Sequence, residues 1–234
     1  MDVVEVVPGL HLLPLGIANA YLWHGGDGVT LVDTGPPGSG PAVVAALDHL
    51  GLRRRDLRRI VLTHFHDDHA GAAAELASWA SAPVVAGRGD AAFVRGDVPG
   101  PLPSFTEAER ALHAVVAADL RPAAASPVDQ EVDDGQVLGA VGEAVVLAVP
   151  GHTPGSIALH LPRHGVLITG DTVAEHEGRA ILGPFNADRA GAWASLQRLA
   201  GLDVDVACPG HGRPITSAAA AALRRATDPF GSAP

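Results

Sequence analysis

Lysine is absent from this 234-residue chain, so all its strongly basic side chains are arginines. The absence excludes any chemistry that needs a lysine amine, such as a Schiff base. A single cysteine, Cys208, excludes a disulfide within the chain. The first five residues show no basic segment leading into an apolar one, so we predict no secretory signal and a cytoplasmic location.

Positive charge is also scarce, and the formal net charge is −10 at pH 7. Affinity for nucleic-acid phosphates comes from clustered Lys and Arg, so we predict no nucleic-acid partner. The one basic cluster lies at 53–59, and such a short run is typical of a solvated turn. No apolar run reaches the roughly 18 residues of a membrane span, so we predict no membrane contact. With neither nucleic acid nor membrane as a partner, we expect a small-molecule substrate.

What the chain does have is a dense cluster of potential metal ligands. The segment His64-Phe65-His66-Asp67-Asp68-His69 places three imidazoles and two carboxylates directly after the apolar run 60–63. Such crowding is costly unless a cation neutralises it, and these groups are ligands for zinc, iron and manganese. We interpret Asp67 as a helix N-cap or a hydrogen-bonding partner of the site rather than a ligand.

Three further segments resemble the first, because each carries a potential ligand after an apolar strand in a glycine-bearing loop. They are 149–155 with His152, 167–172 with Asp171, and 207–212 with His211. Strand ends converging on one edge would gather His64, His66, His69, His152, His211, Asp68 and Asp171. This set exceeds the needs of one tetrahedral zinc and suits two ions about 3.5–4 Å apart.

Alternating strand and helix patterns predict an α/β protein with mixed sheets. We predict one domain over 1–234, with two similar halves at about 1–125 and 126–234. The patterns indicate a helix over 70–80, a strand over 165–169 and, within the less regular segment 87–134, a helix over 106–120. Thr106 and Glu109 have the spacing of a capping box at the start of that helix, and the segment could form a flap over the site.

Five motifs together resemble the metallo-β-lactamase-fold superfamily, in its glyoxalase II and lactonase-like branch. They are Leu31-Val32-Asp33-Thr34-Gly35, the run 63–71, Pro150-Gly151-His152-Thr153-Pro154-Gly155-Ser156, Gly170-Asp171-Thr172 and Pro209-Gly210-His211-Gly212. The resemblance spans roughly residues 10 to 215. It implies an αβ/βα four-layer sandwich with two mixed β-sheets and the metals at one edge.

The resemblance also implies a role for each matching residue. His64, His66 and His152 would hold a first metal, Asp68, His69 and His211 a second, and Asp171 would bridge the two. Asp33 would support the ligands from behind by a hydrogen bond. His176, in the segment after Asp171, is a candidate substrate contact.

The leading hypothesis is a hydrolase with two divalent ions, zinc before iron or manganese. A hydroxide bridging the metals would attack an ester, thioester, lactone or amide, with Asp68 as the catalytic carboxylate that orients it. An oxidoreductase similar to persulfide dioxygenases, with one iron, remains an alternative, as does a non-catalytic metal-binding protein. Lactonases that resemble this chain place a Tyr after the bridging Asp, but the chain has no Tyr beyond Tyr21. The substrate therefore stays open. The choice between monomer and homodimer stays open as well.

Overall fold

Two β-sheets form the centre of the molecule in the computed structural model, which describes residues 2–26, 28–139 and 141–231. The first sheet runs in the order β1 (Val4–Val7), β2 (Leu10–Leu15), β3 (Ala18–Gly25), β4 (Gly28–Val32), β5 (Leu57–Leu62), β6 (Val84–Gly87) and β7 (Gln130–Val132). The strands are antiparallel from β1 to β4 and parallel from β4 to β7. The sheet is therefore mixed.

The second sheet is mixed as well. Its strands are β8 (Val137–Leu138), β9 (Ala144–Ala148), β10 (Ile157–Leu161), β11 (Val166–His176), β12 (Arg179–Leu182) and β13 (Val206–His211). Strands β8 to β12 pair antiparallel in chain order, while β13 lies parallel to the first half of β11.

Seven helices accompany the sheets in the described part of the chain. They are α1 (Gly40–His49), α2 (Asp67–Ala70), α3 (Ala73–Ala80), α4 (Ala91–Val94), α5 (Glu107–Val116), α6 (Arg189–Ala200) and α7 (Ala219–Arg224). Helices α1 and α3 pack on the outer face of the first sheet, and α6 and α7 on the outer face of the second. The predicted αβ/βα sandwich with two mixed sheets is confirmed.

Side-chain alternation along the central strands separates the cores. In β5, Ile60 and Leu62 face the helices, whereas Val61 belongs to the core between the sheets. Cys208 lies fully buried in the same central core, as a small apolar residue. Strand β5 is thus fixed from both faces, so the residues that follow its end are held firmly.

The helix predicted over 70–80 is interrupted, because α2 ends at Ala70 and α3 begins at Ala73. The backbone N–H of Ala72 donates to Thr34 Oγ1 at 3.1 Å. Gly71 lies against the backbone of Pro36 and Pro37, where no side chain would fit. These contacts with the β4–α1 connection cannot be read from helical periodicity.

The N-cap interpretation of Asp67 is wrong, because His66 occupies the N-cap position and Asp67 is the first residue of α2. The Asp67 carboxylate instead accepts a hydrogen bond from the backbone N–H of Ala123 at 2.7 Å. It therefore ties the segment that follows α5 to the histidine cluster.

Two other elements differ in length from their predictions. Strand β11 continues through Asp171 to His176, because its second half pairs with β12, so Asp171 lies inside a strand rather than in a loop. Helix α5 ends at Val116, short of the predicted residue 120, but its capping box is confirmed. Glu109 N–H donates to Thr106 Oγ1 at 3.2 Å, and Thr106 N–H donates to Glu109 Oε2 at 2.8 Å.

Candidate metal centre

All seven predicted ligands meet where strands of both sheets end. The connection after β5 and the start of α2 carry four of them, and the other three come from the loop after β9, from β11 and from the end of β13. They fall into groups whose potential ligand atoms all lie within 4.8 Å of one another. The groups are His64, His66 and His152; His64, His69 and Asp171; and Asp68, His69 and His211.

The first group consists of three imidazoles. His66 Nδ1 and His152 Nε2 are 2.9 Å apart, and the ring centroids of His64 and His152 are 4.7 Å apart. His64 and His152 are almost completely buried. Three imidazole nitrogens directed at one point form a ligand set that zinc and iron accept.

The second group combines imidazole with carboxylate. Asp68 Oδ2 lies 3.7 Å from His69 Nε2 and 3.4 Å from His211 Nε2. The two Nε2 atoms are 3.3 Å apart. This group is more exposed than the first, because Asp68 and His211 border open space.

Asp171 lies between the two groups. Its Oδ1 is 3.2 Å from His69 Nε2, and its Oδ2 is 3.1 Å from His211 Nε2 and 3.5 Å from His152 Nε2. One carboxylate therefore reaches ligands of both groups, as a bridging residue must. Gly210 is required beside it, because a side chain there would overlap Asp171.

Buried nitrogen and oxygen atoms that lack a hydrogen-bond partner indicate that these residues fit divalent cations. His64 Nε2 and Asp171 Oδ1 are buried at the centre of the site, and neither has a hydrogen-bond partner among the described residues. Leaving a buried polar atom unpaired costs about 1–3 kcal/mol. A cation between the groups would satisfy the inward-facing atoms and separate imidazole nitrogens that otherwise confront each other.

The electrostatics of the two groups differ. Burial, and then the neighbouring imidazoles, hold the pKa of His64 and of His66 well below its usual value, so both rings are neutral and free to bind a metal. Burial lowers the pKa of His69 too, but Asp171 and Asp68 outweigh it and raise that pKa well above normal. Burial opposes ionisation of Asp171, yet His211 and His69 hold its pKa well below the usual range.

Asp33 orients one ligand in each group. It accepts hydrogen bonds from Thr63 N–H and Thr63 Oγ1, both at 2.7 Å, and from His69 Nδ1 at 3.1 Å. Since the Thr63 hydroxyl donates to Asp33, its oxygen accepts from His64 Nδ1 at 3.0 Å. Both rings then present Nε2 to the site, which is how carboxylates commonly fix metal-binding histidines.

Sequence reasoning missed Asp90, a fully buried carboxylate behind the site. It accepts from Phe65 N–H at 3.0 Å, from Thr153 Oγ1 at 2.7 Å and from Gly155 N–H at 2.7 Å. Burial raises its pKa to about 6, against these hydrogen bonds, which lower it. Asp90 thereby joins the histidine-cluster loop to the loop that carries His152. Asp90 follows shortly after β6, in the same parallel part of the sheet as β5, and this position could have indicated that it lies near the site.

Asn19 and Tyr21 hold the strand that carries His211. Tyr21 Oη donates to Pro209 O at 2.7 Å, and Asn19 Nδ2 donates to the same oxygen at 3.0 Å. His211 itself donates from Nδ1 to Ile17 O at 2.6 Å, which leaves Nε2 for the site. These contacts join strands far apart in sequence, so no local pattern announces them.

His176 lies exposed at the end of β11 and borders a cavity of about 580 Å³. The same cavity reaches Asp68 and His211. The structure thus places His176 beside the space in front of the metal ligands, and its contact with substrate stays a prediction.

Comparison with known proteins identifies the family. Residues 13–211 match the Metallo-beta-lactamase superfamily, so the chain belongs to that superfamily. It is 32% identical over 232 residues to the probable metallo-hydrolase YflN of Bacillus subtilis, covering 91% of this chain and 87% of that protein. It is 33% identical over 202 residues to a hydroxyacylglutathione hydrolase of Fuscovulum blasticum. This match covers 82% of this chain but only 61% of that enzyme.

The fold is shared with solved structures of the same superfamily. The crystal structure of TTHA1623 in a di-iron-bound form superposes with a TM-score of 0.67 at 30% identity, covering 94% of this chain and 98% of that one. Superfamily membership and the histidine–aspartate groups together support a metal-dependent hydrolase. Within the described residues, no helix has the length and apolar character needed to cross a membrane.

Proposed function

We propose that this protein uses two divalent metal ions to hydrolyse an ester, thioester, lactone or amide bond in a small molecule. The observation that carries the proposal is the pair of three-residue ligand groups joined by Asp171. His64, His66 and His152 would hold one ion, and Asp68, His69 and His211 the other. When bound, such ions lower the pKa of a coordinated water towards about 7 and polarise a carbonyl.

We propose that Asp68 is the residue that orients the water and transfers its proton. Its carboxylate is 14% exposed, lies 3.4 Å from His211 Nε2 and borders the open space in front of the ligands. Hydrolysis forms a bond from the water oxygen to the acyl carbon and breaks the bond from that carbon to the leaving oxygen, sulfur or nitrogen. Asp68 would orient the water and pass its proton to the leaving atom.

The ligand chemistry favours zinc, because neutral imidazole and carboxylate are its usual ligands, although iron and manganese accept the same set. Metal analysis of purified protein separates hydrolysis from the oxygenase alternative. Two zinc ions per chain, with hydrolysis that consumes no oxygen, support the proposal. One iron per chain with oxygen consumption would replace it by the persulfide dioxygenase-like reaction.

The role of Asp68 is tested by Asp68→Asn in protein loaded with metal. We expect turnover to fall by about 100-fold or more, because proton transfer by a positioned carboxylate is worth that much. Metal content is measured alongside, since the substitution also weakens the second ligand group. Asp67→Asn is the matched control: its amide oxygen still accepts from Ala123 N–H, so activity should persist. Full activity in metal-replete Asp68→Asn would refute this mechanism.

A further inference from the structure

Two cavities lie in front of the ligand groups and meet at the same residues. One has a volume of about 580 Å³ and reaches Asp68 and His211. The other has about 240 Å³ and reaches Asp68 and His66. Ile17, Val116 and Phe185 border both cavities. The cleft is therefore divided into two compartments, with Asp68 where they join.

Apolar side chains dominate both compartments. Leu112, Ile181 and Phe230 line the larger one. Leu102 and Leu120 line the smaller one. Burial of aliphatic or aromatic groups against such walls is favourable by roughly 25 cal/mol per Å² of apolar surface removed from water.

The charges around the cleft are negative. No arginine of the described chain lines either compartment, whereas Asp67, Asp68 and Glu175 do. An anionic substituent bound in either compartment away from the metal ligands would lose its hydration and gain no cationic side-chain partner, which is unfavourable. The lining therefore selects against substrates that carry carboxylates away from the scissile bond.

The wall formed by α5 is held in place rather than loose. Glu109 is fully buried near the start of α5, accepts from Phe185 N–H at 2.9 Å and forms an ion pair with Arg189. Arg189 also pairs with Asp228 at 2.7 Å, so its charge is already compensated. The backbone of Phe185 is thus tied to the start of α5, the helix that carries Val116.

We infer that the substrate is an uncharged acyl compound with an apolar group on each side of the scissile bond. One group occupies the larger compartment, the other the smaller, and the bond that breaks lies at Asp68. This inference rests on the proposed hydrolysis and narrows its substrate class. It separates this chain from the hydroxyacylglutathione hydrolases it resembles, whose name implies a substrate carrying the charged glutathione group.

The direct test compares two thioesters with the same acyl group, S-hexanoyl-N-acetylcysteamine and S-hexanoylglutathione. The reacting bond is identical, but only glutathione adds carboxylates and an ammonium group. With metal-loaded protein we expect kcat/KM to be at least about tenfold higher for the neutral thioester. Equal values, or a preference for the glutathione thioester, would overturn the inference while leaving the proposed hydrolysis intact.

Two substitutions on α5 locate the selectivity. Val116 is 38% exposed and borders both compartments, whereas its neighbour Val115 is 74% exposed and borders neither. Val116→Arg should reduce the preference for the neutral thioester at least about fivefold, because the guanidinium offers the missing cationic partner. Val115→Arg adds the same charge outside the cleft and should leave the preference unchanged. The same response in both variants would contradict the assignment.

A binding measurement separates this inference from the proposed activity. Nile red, a neutral apolar dye, should bind the metal-free protein and fluoresce. Its binding should weaken at least about fivefold in Val116→Arg and stay unchanged in Val115→Arg. This result without hydrolysis of any ester, thioester, lactone or amide by the metal-loaded protein would support the apolar cleft and refute the proposed function. Dye binding insensitive to Val116→Arg would refute the cleft itself.

Discussion

At the scale of single residues, buried carboxylates determine the geometry of the site. Asp33 orients His64 through Thr63 and His69 directly, and its backbone adopts a positive φ of 59° to do so. Aspartate tolerates this conformation better than most side chains, but the strain is retained because three hydrogen bonds fix the residue. Asp90 acts in the same way between two ligand loops.

The raised pKa of Asp90 predicts a pH dependence of stability. With a pKa of about 6 in the folded state and a usual value of 3.8, the folded protein holds the proton more tightly than the unfolded chain. The contribution of Asp90 to stability should therefore fall as pH rises from 4 to 6 and change no further above. A shift of this size corresponds to roughly 3 kcal/mol.

The measurement is the unfolding free energy of metal-free wild type and Asp90→Asn between pH 4 and pH 7. The difference between the proteins isolates the Asp90 carboxyl, because their other titrating groups are shared. Wild type should lose stability relative to the variant as pH rises. A constant difference over that range would mean that Asp90 ionises normally.

At the scale of elements, α5 is the helix that shapes the cleft, and its start is fixed by a capping box. Thr106 accepts from Glu109 N–H, and Glu109 in turn contacts Phe185 and Arg189. One end of the helix is therefore tied to the connection between β12 and α6. The segment 87–134 carries this wall of the cleft, and its role as a flap stays a prediction.

Removing the cap should cost a measurable amount of stability. Thr106→Ala deletes the hydroxyl that accepts from Glu109 N–H, and an N-cap of this kind is worth about 1 kcal/mol. We expect denaturant unfolding to show a loss of that size, with unchanged metal content. Thr106→Ser keeps the acceptor and should stay close to wild type. Equal losses in both variants would attribute the effect to the methyl group instead.

At the scale of the whole molecule, the metal ligands join the two halves of the sandwich. Ligands that follow β5 or lie in α2 belong to the side of the first sheet, and those from the loop after β9, from β11 and from β13 to the side of the second. Bound ions would therefore stabilise the folded state as well as support the proposed hydrolysis. A ligand present at 100 times its Kd stabilises the native state by about 2.7 kcal/mol.

Metal removal should accordingly lower the melting temperature, and re-addition of zinc should restore it. Thermal unfolding with and without a chelator measures the effect. His66→Ala should reduce the difference, because it removes a ligand of the first group. His49→Ala makes the same chemical change outside the site, at an exposed position at the end of α1. This variant should keep the full difference in melting temperature between protein with and without chelator. Chelator effects of equal size in all three proteins would contradict these ligand assignments.

The sequence by itself determined the layered α/β fold and the set of candidate ligands. Both follow from local information: apolar periodicity, turn glycines, and the spacing of His64, His66, Asp68 and His69. Motif order then indicated that His152, Asp171 and His211 belong to the same site, and the structure brings all seven together.

Only the tertiary structure decided which residues besides Asp33 support the ligands and which side chains line the cleft in front of them. The break before α3, the extension of β11 and the hydrogen bonds of Asp90 and Tyr21 depend on segments distant in sequence. The apolar cleft likewise arises where α5, β12 and the segment around Phe230 pack together. Long-range packing carries no periodic signature along the chain, so the ligands and Asp33 could be predicted from their motifs, while the other supports and the cleft could not.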